Sequence, residues 1–237
     1  LPSSSDPPNP PGAQDIDLAG TPVLFQPAGC PPLLAVQGKE GFLFVYDRTN
    51  LSKGPIAASQ FSTSSDTAYY MGLPAYSAQT GYLYAAVATG SPGLAILRPN
   101  TGCTGFSLVA QPTFGPDSTD GALLNENARS SPTVVNDVVF LGTPNGVLWA
   151  RNARTGAALW DSSGVLTPNN SPGDEIRYGP VVSGGWVYFV TTETASIYAL
   201  TVNATTASTG QRGALSTQTL PLPAPLVRHP HLHRRPF

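Results

Sequence analysis

Apolar residues recur in short runs with a period of two, the spacing of strands, and the runs are separated by glycine, proline and Asn/Asp turns. The stretch after Pro132 shows the pattern most clearly. Val134 and Val135 lead to an Asn136-Asp137 turn and then to an apolar strand from Val138 to Leu141. Pro144-Asn145-Gly146 predicts a hairpin, because Asn-Gly readily takes the positive φ values of a type I′ turn. The return strand, Val147 to Asn152, sets Val147, Trp149 and Arg151 on one face and Leu148 and Ala150 on the other. Arg154-Thr155-Gly156 predicts another turn, and Ala157 to Trp160 starts an outer strand. These segments lack helical periodicity, so the chain is all-β.

The same sentence is written four times. Segments near 20–49, 72–102, 130–161 and 178–202 are headed by Pro22, Pro74, Pro132 and Pro180, at separations of 52, 58 and 48 residues. A repeat of about fifty residues matches one four-stranded propeller blade. A β-sandwich also uses short strands and frequent turns, but its strands are not copies of a unit. The expected architecture is therefore a partial β-propeller of about four four-stranded blades over residues 15–202. Residues 1–14 carry Pro2, Pro7, Pro8, Pro10 and Pro11 and read as an extended, disordered arm. Residues 203–237 turn Thr/Ser-rich, then Pro-rich, then basic, and read as a low-complexity disordered tail.

Composition narrows the possible partners. Only 11% of residues are charged, against about 25% in an average soluble protein. All four arginines beyond position 202 lie in the tail, which has no acid, and the rest of the chain carries a net charge of -6. Lys39 and Lys53 are the only lysines, so a phosphate-binding groove for nucleic acid is not expected. No apolar run reaches the ~20 residues of a membrane helix. The histidines, His229, His231 and His233, all sit in the tail. The body therefore lacks the base of a Ser-His-Asp triad and any histidine ligand for zinc. Asp15/Asp17 and Asp117/Asp120 lack the spacing of an EF-hand and read as turn caps. Strand aromatics such as Tyr82, Tyr84, Trp149, Trp186 and Tyr188 read as packing between blades. Tyr69 and Tyr70 read the same way. Cys30 and Cys103 are candidates for one disulfide, two buried thiols being the alternative.

Two repeats carry a family likeness. GTPNGVLWARNARTGAALW resembles the repeat of pyrroloquinoline-quinone (quinoprotein alcohol dehydrogenase-like) propellers: a hairpin, a strand ending at a polar position, Thr-Gly, and a Trp four residues later. The likeness implies that Trp160 docks between neighbouring blades. LLAVQGKEGFLFVYDRTN is similar to the segment of quinoprotein alcohol dehydrogenases whose basic side chain enters the central channel. It implies that Lys39 would contact the carbonyl oxygens of pyrroloquinoline quinone and polarise them. Calcium is the family's accompanying metal, but no ligand set for it matches here, and no adjacent cysteine pair exists. The family has about eight blades, so four would need missing propeller blades or a second copy to enclose a cofactor, and this chain alone is expected to be inactive. The resemblance thus implies part of a quinone-dependent oxidoreductase. The alternative is a non-catalytic scaffold that binds exported proteins, like the outer-membrane assembly lipoproteins sharing this repeat. Low charge and likeness together point to a periplasmic or secreted protein.

Overall fold

The computed structural model describes residues 18, 20–38, 42–60, 72–87, 93–112, 130–143, 146–162, 175–192, 196–202 and 215–219. These form sixteen strands in four antiparallel four-stranded sheets, each in chain order. Blade 1 comprises β1 (Val23–Phe25), β2 (Leu33–Gln37), β3 (Phe42–Asp47) and β4 (Ala57–Gln60). Blade 2 comprises β5 (Ala75–Ser77), β6 (Tyr82–Val87), β7 (Gly93–Pro99) and β8 (Phe106–Ala110). Blade 3 comprises β9 (Thr133–Val135), β10 (Val138–Gly142), β11 (Leu148–Asn152) and β12 (Ala158–Asp161). Blade 4 comprises β13 (Val181–Ser183), β14 (Trp186–Val190), β15 (Ile197–Val202) and β16 (Leu215–Thr219). The architecture is a partial propeller.

Each first strand begins on the residue after a repeat-heading proline. Proline fixes φ and has no N–H to give a ladder, so it suits the entry to a strand. The first strands neighbour one another in the order β1, β5, β9, β13, which makes them the inner edge of an arc. The outer edge of blade 4 comes from Leu215–Thr219, whose backbone pairs with β15 from Tyr198↔Thr219 to Val202↔Leu215. That strand lies inside the segment whose composition reads as a tail. Its Thr/Ser-rich sequence has no apolar alternation, so the backbone ladder is its only visible structural signal. Residues 1–14 and 220–237, with the three histidines, lie outside the described residues, as do Tyr69, Tyr70, Asp15, Asp17, Asp117, Asp120 and the Pro144-Asn145 turn.

Turn chemistry repeats from blade to blade. Gly184 and Gly185 both take positive φ (58° and 81°) in the two-residue β13–β14 turn. Asn136 takes φ 52° at the equivalent place in blade 3. In blades 1, 2 and 3 the third strand ends at or just before an Asx residue. Asp47 Oδ1 accepts from the Thr49 hydroxyl and N–H at 2.6 and 2.8 Å. Asn100 Oδ1 accepts the Gly105 N–H at 3.0 Å, and Asn152 Oδ1 accepts the Arg154 and Thr155 N–H groups at 2.9 and 3.0 Å. These carboxylate and amide oxygens satisfy backbone donors that leave the ladder.

Three buried apolar clusters fill the three blade junctions. Phe25, Leu33 and Leu43 of blade 1 meet Leu83, Ala85 and Leu97 of blade 2. Tyr84, Leu94 and Ile96 on the other face of blade 2 meet Val139 and Leu141 of blade 3. Leu148 of blade 3 meets Phe189 and Leu200 of blade 4, with Ile176 between them. Burying one such side chain contributes about 1.5–3 kcal/mol, so these seams dominate cohesion. Polar ties reinforce them: Gln37 Nε2 donates to Ala86 O at 2.5 Å, and Tyr84 Oη donates to Ala153 O at 3.0 Å.

A covalent tie joins blades 1 and 2. Cys30, in the β1–β2 turn, is bonded to Cys103, in the β7–β8 turn, with 5.6 Å between Cα atoms. The closed loop spans 73 residues, which the loop-entropy model converts into about 4 kcal/mol of stabilisation. Reduction, or Cys103→Ser, is expected to lower the urea midpoint by an amount corresponding to about 2–4 kcal/mol. An unchanged midpoint would show that the disulfide does not hold blade 1 in place.

Burial raises the Tyr84 phenol above its ordinary value near 10, while the bond to Thr80 opposes the shift. A folded-state pKa above the unfolded one gives stabilisation that is complete below pH about 10 and lost as pH rises through the folded value. Tyr84→Phe should cost about 1 kcal/mol at neutral pH and make the alkaline loss of stability shallower, measured by urea melts from pH 8 to 12. Equal alkaline slopes in both proteins would contradict this.

Candidate functional site

The inner edge is where the strand-entry segments of successive blades converge. Each entry has a small residue one or two places before the proline: Gly20-Thr21-Pro22, Gly72-Leu73-Pro74, Ser130-Ser131-Pro132 and Tyr178-Gly179-Pro180. The reason is close backbone approach. A Cβ on Gly72 would stand 2.3 Å from the Ser130 carbonyl oxygen, and one on Gly179 would stand 2.9 Å from that of Ser131.

Hydroxyls lock this rim. The Leu73 N–H donates to Ser131 Oγ at 2.8 Å, tying blade 2 to blade 3. Ser130 Oγ donates to Tyr178 O at 3.1 Å, and Thr133 Oγ1 donates to Pro180 O at 2.6 Å, tying blade 3 to blade 4. What projects from the lock is apolar. Tyr178 is 63% exposed, Val181 62% and Leu73 38%.

Beside Tyr178, the segment 175–177 bridges blades 3 and 4. The Ile176 N–H donates to Thr143 O at 3.0 Å, and Glu175 O accepts the Thr192 N–H at 3.0 Å. Arg177 Nε pairs with Glu175 Oε2 at 2.5 Å, with the carboxylate side mostly buried. Gly142 lies under this bridge, since a Cβ there would meet Ile176 Cγ2 at 2.2 Å. The rim thus has a charge-balanced ion pair, committed hydroxyls and protruding apolar side chains. Its chemistry suits contact with another apolar surface, and none of its described groups is arranged as a nucleophile with a base.

Lys39 falls between β2 and β3 and lies outside the described residues. Trp160, half-buried on β12, packs on the Leu148–Ile176–Phe189–Leu200 cluster at the junction of blades 3 and 4. Cys30 and Cys103 are 5.6 Å apart at the opposite end of the blades from the strand entries. Trp149 is stacked by Arg151, whose guanidinium carbon stands 4.9 Å from the ring centroid on the face toward blade 2. Burial pushes the Arg151 guanidinium down from its ordinary range, and Asp161 opposes that shift.

Trp186 and Tyr188 do not sit in a junction between the described blades. They alternate with Val187 and Phe189, which face blade 3, so they occupy the far face of blade 4. Among the described residues, no group of three or more His, Cys, Asp or Glu could hold a metal, and no helix is long and apolar enough to cross a membrane. Sequence reasoning missed Leu73 and Tyr178. Their signal was the small residue before each repeat-heading proline, which marks the backbone crossing that leaves these neighbours exposed.

Residues 116–229 match the family model described as outer membrane protein assembly factor BamB, which spans blades 3 and 4. No curated protein sequence matches this one. Among solved structures the chain is similar to BamB from Moraxella catarrhalis, with 14% identity, a TM-score of 0.52, and coverage of 78% of this chain and 50% of that one. It is also similar to the computationally designed Ika4 protein, with 10% identity, a TM-score of 0.52, and coverage of 80% of this chain and 92% of that one. The computationally designed Ika8 protein gives 10% identity, a TM-score of 0.52, and coverage of 84% and 50%. This chain thus spans about half the length of the BamB and Ika8 chains. At these identities the likeness is one of fold.

The rim lock has a direct test. Gly72→Ala forces apart Leu73 and Ser131, and should cost about 1–3 kcal/mol in urea unfolding. Ala at exposed Gly29, where a Cβ meets nothing within 4 Å, serves as the comparison for backbone strain alone, φ being +77° there. A Gly72→Ala loss below about 0.5 kcal/mol would contradict the close approach.

Proposed function

We infer, from a chain built of quinoprotein-like β-propeller repeats, that it serves as a non-catalytic scaffold binding extended apolar segments of other proteins in an exported compartment. The observation that carries this reading is the apolar pair Leu73 and Tyr178 beside the hydroxyl lock, Tyr178 in the blades that match the BamB family model. The Cys30–Cys103 disulfide supports an oxidising compartment, periplasmic or extracellular, because such bonds are rare where thiols are kept reduced. A rim of this kind offers a few large side chains as anchors, with rigid backbone beneath them.

The second reading is a segment of a quinone-dependent dehydrogenase, with Lys39 at the quinone and calcium beside it. The described rim does not fit that cofactor. Ser130 and Thr133 donate their hydroxyl protons to blade-to-blade bonds, Ser131 Oγ accepts another, and the Arg177 charge is balanced by Glu175. A polycarboxylate quinone and a hard cation would need uncommitted charged donors. This reading therefore rests on the Lys39 resemblance alone, and no chemical step is assigned.

Fluorescence anisotropy with labelled 15-residue peptides of alternating apolar and polar residues tests the scaffold reading. Saturable binding is expected, weakened about tenfold by Tyr178→Ser and by Leu73→Ser. Binding unaffected by either change contradicts the rim as the site. Saturable binding of pyrroloquinoline quinone with calcium, abolished by Lys39→Ala, would favour the dehydrogenase reading instead.

A further inference from the structure

Among the described residues, no sheet packs on the outer face of blade 1 or on the outer face of blade 4. In blade 1, Phe25, Leu33, Ala35, Leu43 and Val45 point into the junction with blade 2. The pairings Leu24↔Leu34, Leu34↔Tyr46 and Val36↔Phe44 put those residues on the opposite face, together with Phe42. Phe42 and Phe44 stack there at 5.6 Å between centroids. In blade 4, Val181↔Tyr188, Tyr188↔Ala199 and Val190↔Ile197 share the face turned away from blade 3, with Trp186. Neither face carries a charged residue on its strands.

A sheet with one solvated face alternates apolar and polar residues, whereas a sheet covered on both faces reads as a continuous apolar run. Phe42–Tyr46 (FLFVY) and Trp186–Val190 (WVYFV) are continuous runs. They resemble β6 of blade 2, YLYAAV, which is covered on both sides and buried from Leu83 onward. The terminal blades are therefore built like interior ones. Yet Leu24 is 59% exposed and Val181 62%, and Phe42, Phe44, Tyr46, Trp186 and Tyr188 are only half-buried.

The faces also differ in kind. Blade 1 leaves open the face that every later blade turns to its predecessor, and blade 4 leaves open the face that every earlier blade turns to its successor. Blade 1 of one copy is thus a fitting successor for blade 4 of another. We propose that two copies of this chain associate head to tail, blade 4 of each on blade 1 of the other, to close an eight-bladed ring. Eight is within the usual range of closed propellers. The ring has twofold symmetry, although each interface joins two different faces.

Light scattering coupled to size exclusion tests this on the full chain with its disulfide intact. The expected mass is twice 24.7 kDa. Leu24→Glu and Val181→Glu, each at an exposed position, should each raise the dimer dissociation constant about tenfold or more. An equimolar mixture of the two variants should recover dimer, because the mixed pair contains one unaltered interface. Far-ultraviolet circular dichroism establishes that both variants remain folded. Phe44→Glu and Tyr188→Glu form a second pair with the same expected pattern if either first variant fails to fold. Leu159→Glu, on the outer edge, should leave the mass unchanged. A monomeric wild type at 100 µM overturns the proposal. So does a Leu24→Glu variant that dimerises as tightly as wild type, since that would place the contact elsewhere. Failure to recover dimer on mixing overturns the head-to-tail arrangement. The peptide-binding reading is scored separately, by anisotropy at the rim, so either can fail without the other.

Discussion

Everything in this molecule depends on covering both faces of each sheet. A four-stranded blade of three- to seven-residue strands cannot bury two apolar faces by itself, and an isolated small sheet is marginal in water. The blades solve this in pairs. Leu83 and Ala85 serve one junction of blade 2, while Tyr84 and Ala86 serve the next, so a single strand supplies two cores. Stability is then nearly a sum over neighbouring junctions, as in other repeat architectures. The arc has three such junctions among its described residues, and the polar ties between Gln37 and Ala86 and between Tyr84 and Ala153 fix their register.

The disulfide belongs to the same logic. Blade 1 has one described neighbour, so its cohesion rests on one apolar seam. Cys30–Cys103 spans that seam at the end of the blades remote from the strand entries. At the strand-entry end of the arc, hydrogen bonds between hydroxyls and backbone groups and close glycine contacts tie blades 2, 3 and 4 together. The inner edge is thereby rigid in backbone and apolar in what it displays. That combination is what the scaffold proposal rests on.

The fold was legible in the sequence because its signals are local. Pro22, Pro74, Pro132 and Pro180 announce strand entries to the residue, and the two-period alternation of Val138–Leu141 and Leu148–Asn152 gives hairpin and facing directly. Strand β16 was not legible, because a Thr/Ser-rich edge strand shows no apolar alternation and pairs through backbone alone. The site was less legible for a different reason. Exposure of Leu73 and Tyr178 follows from how one blade's entry crosses its neighbour, a contact between residues 48 to 58 positions apart. Trp186 and Tyr188 illustrate the same limit: their alternation assigns them a face, but only the arrangement of blades shows which face has no described neighbour.

Hydrogen exchange on β3 and β14 as a function of protein concentration tests the central claim, that the terminal faces are built to be covered, most directly. Raising the concentration from 0.1 to 100 µM should slow exchange in Phe42–Asp47 and Trp186–Val190 toward the rates of interior Tyr82–Val87, while the interior rates stay constant. Exchange in the terminal strands that is independent of concentration and faster than in the interior would contradict the account.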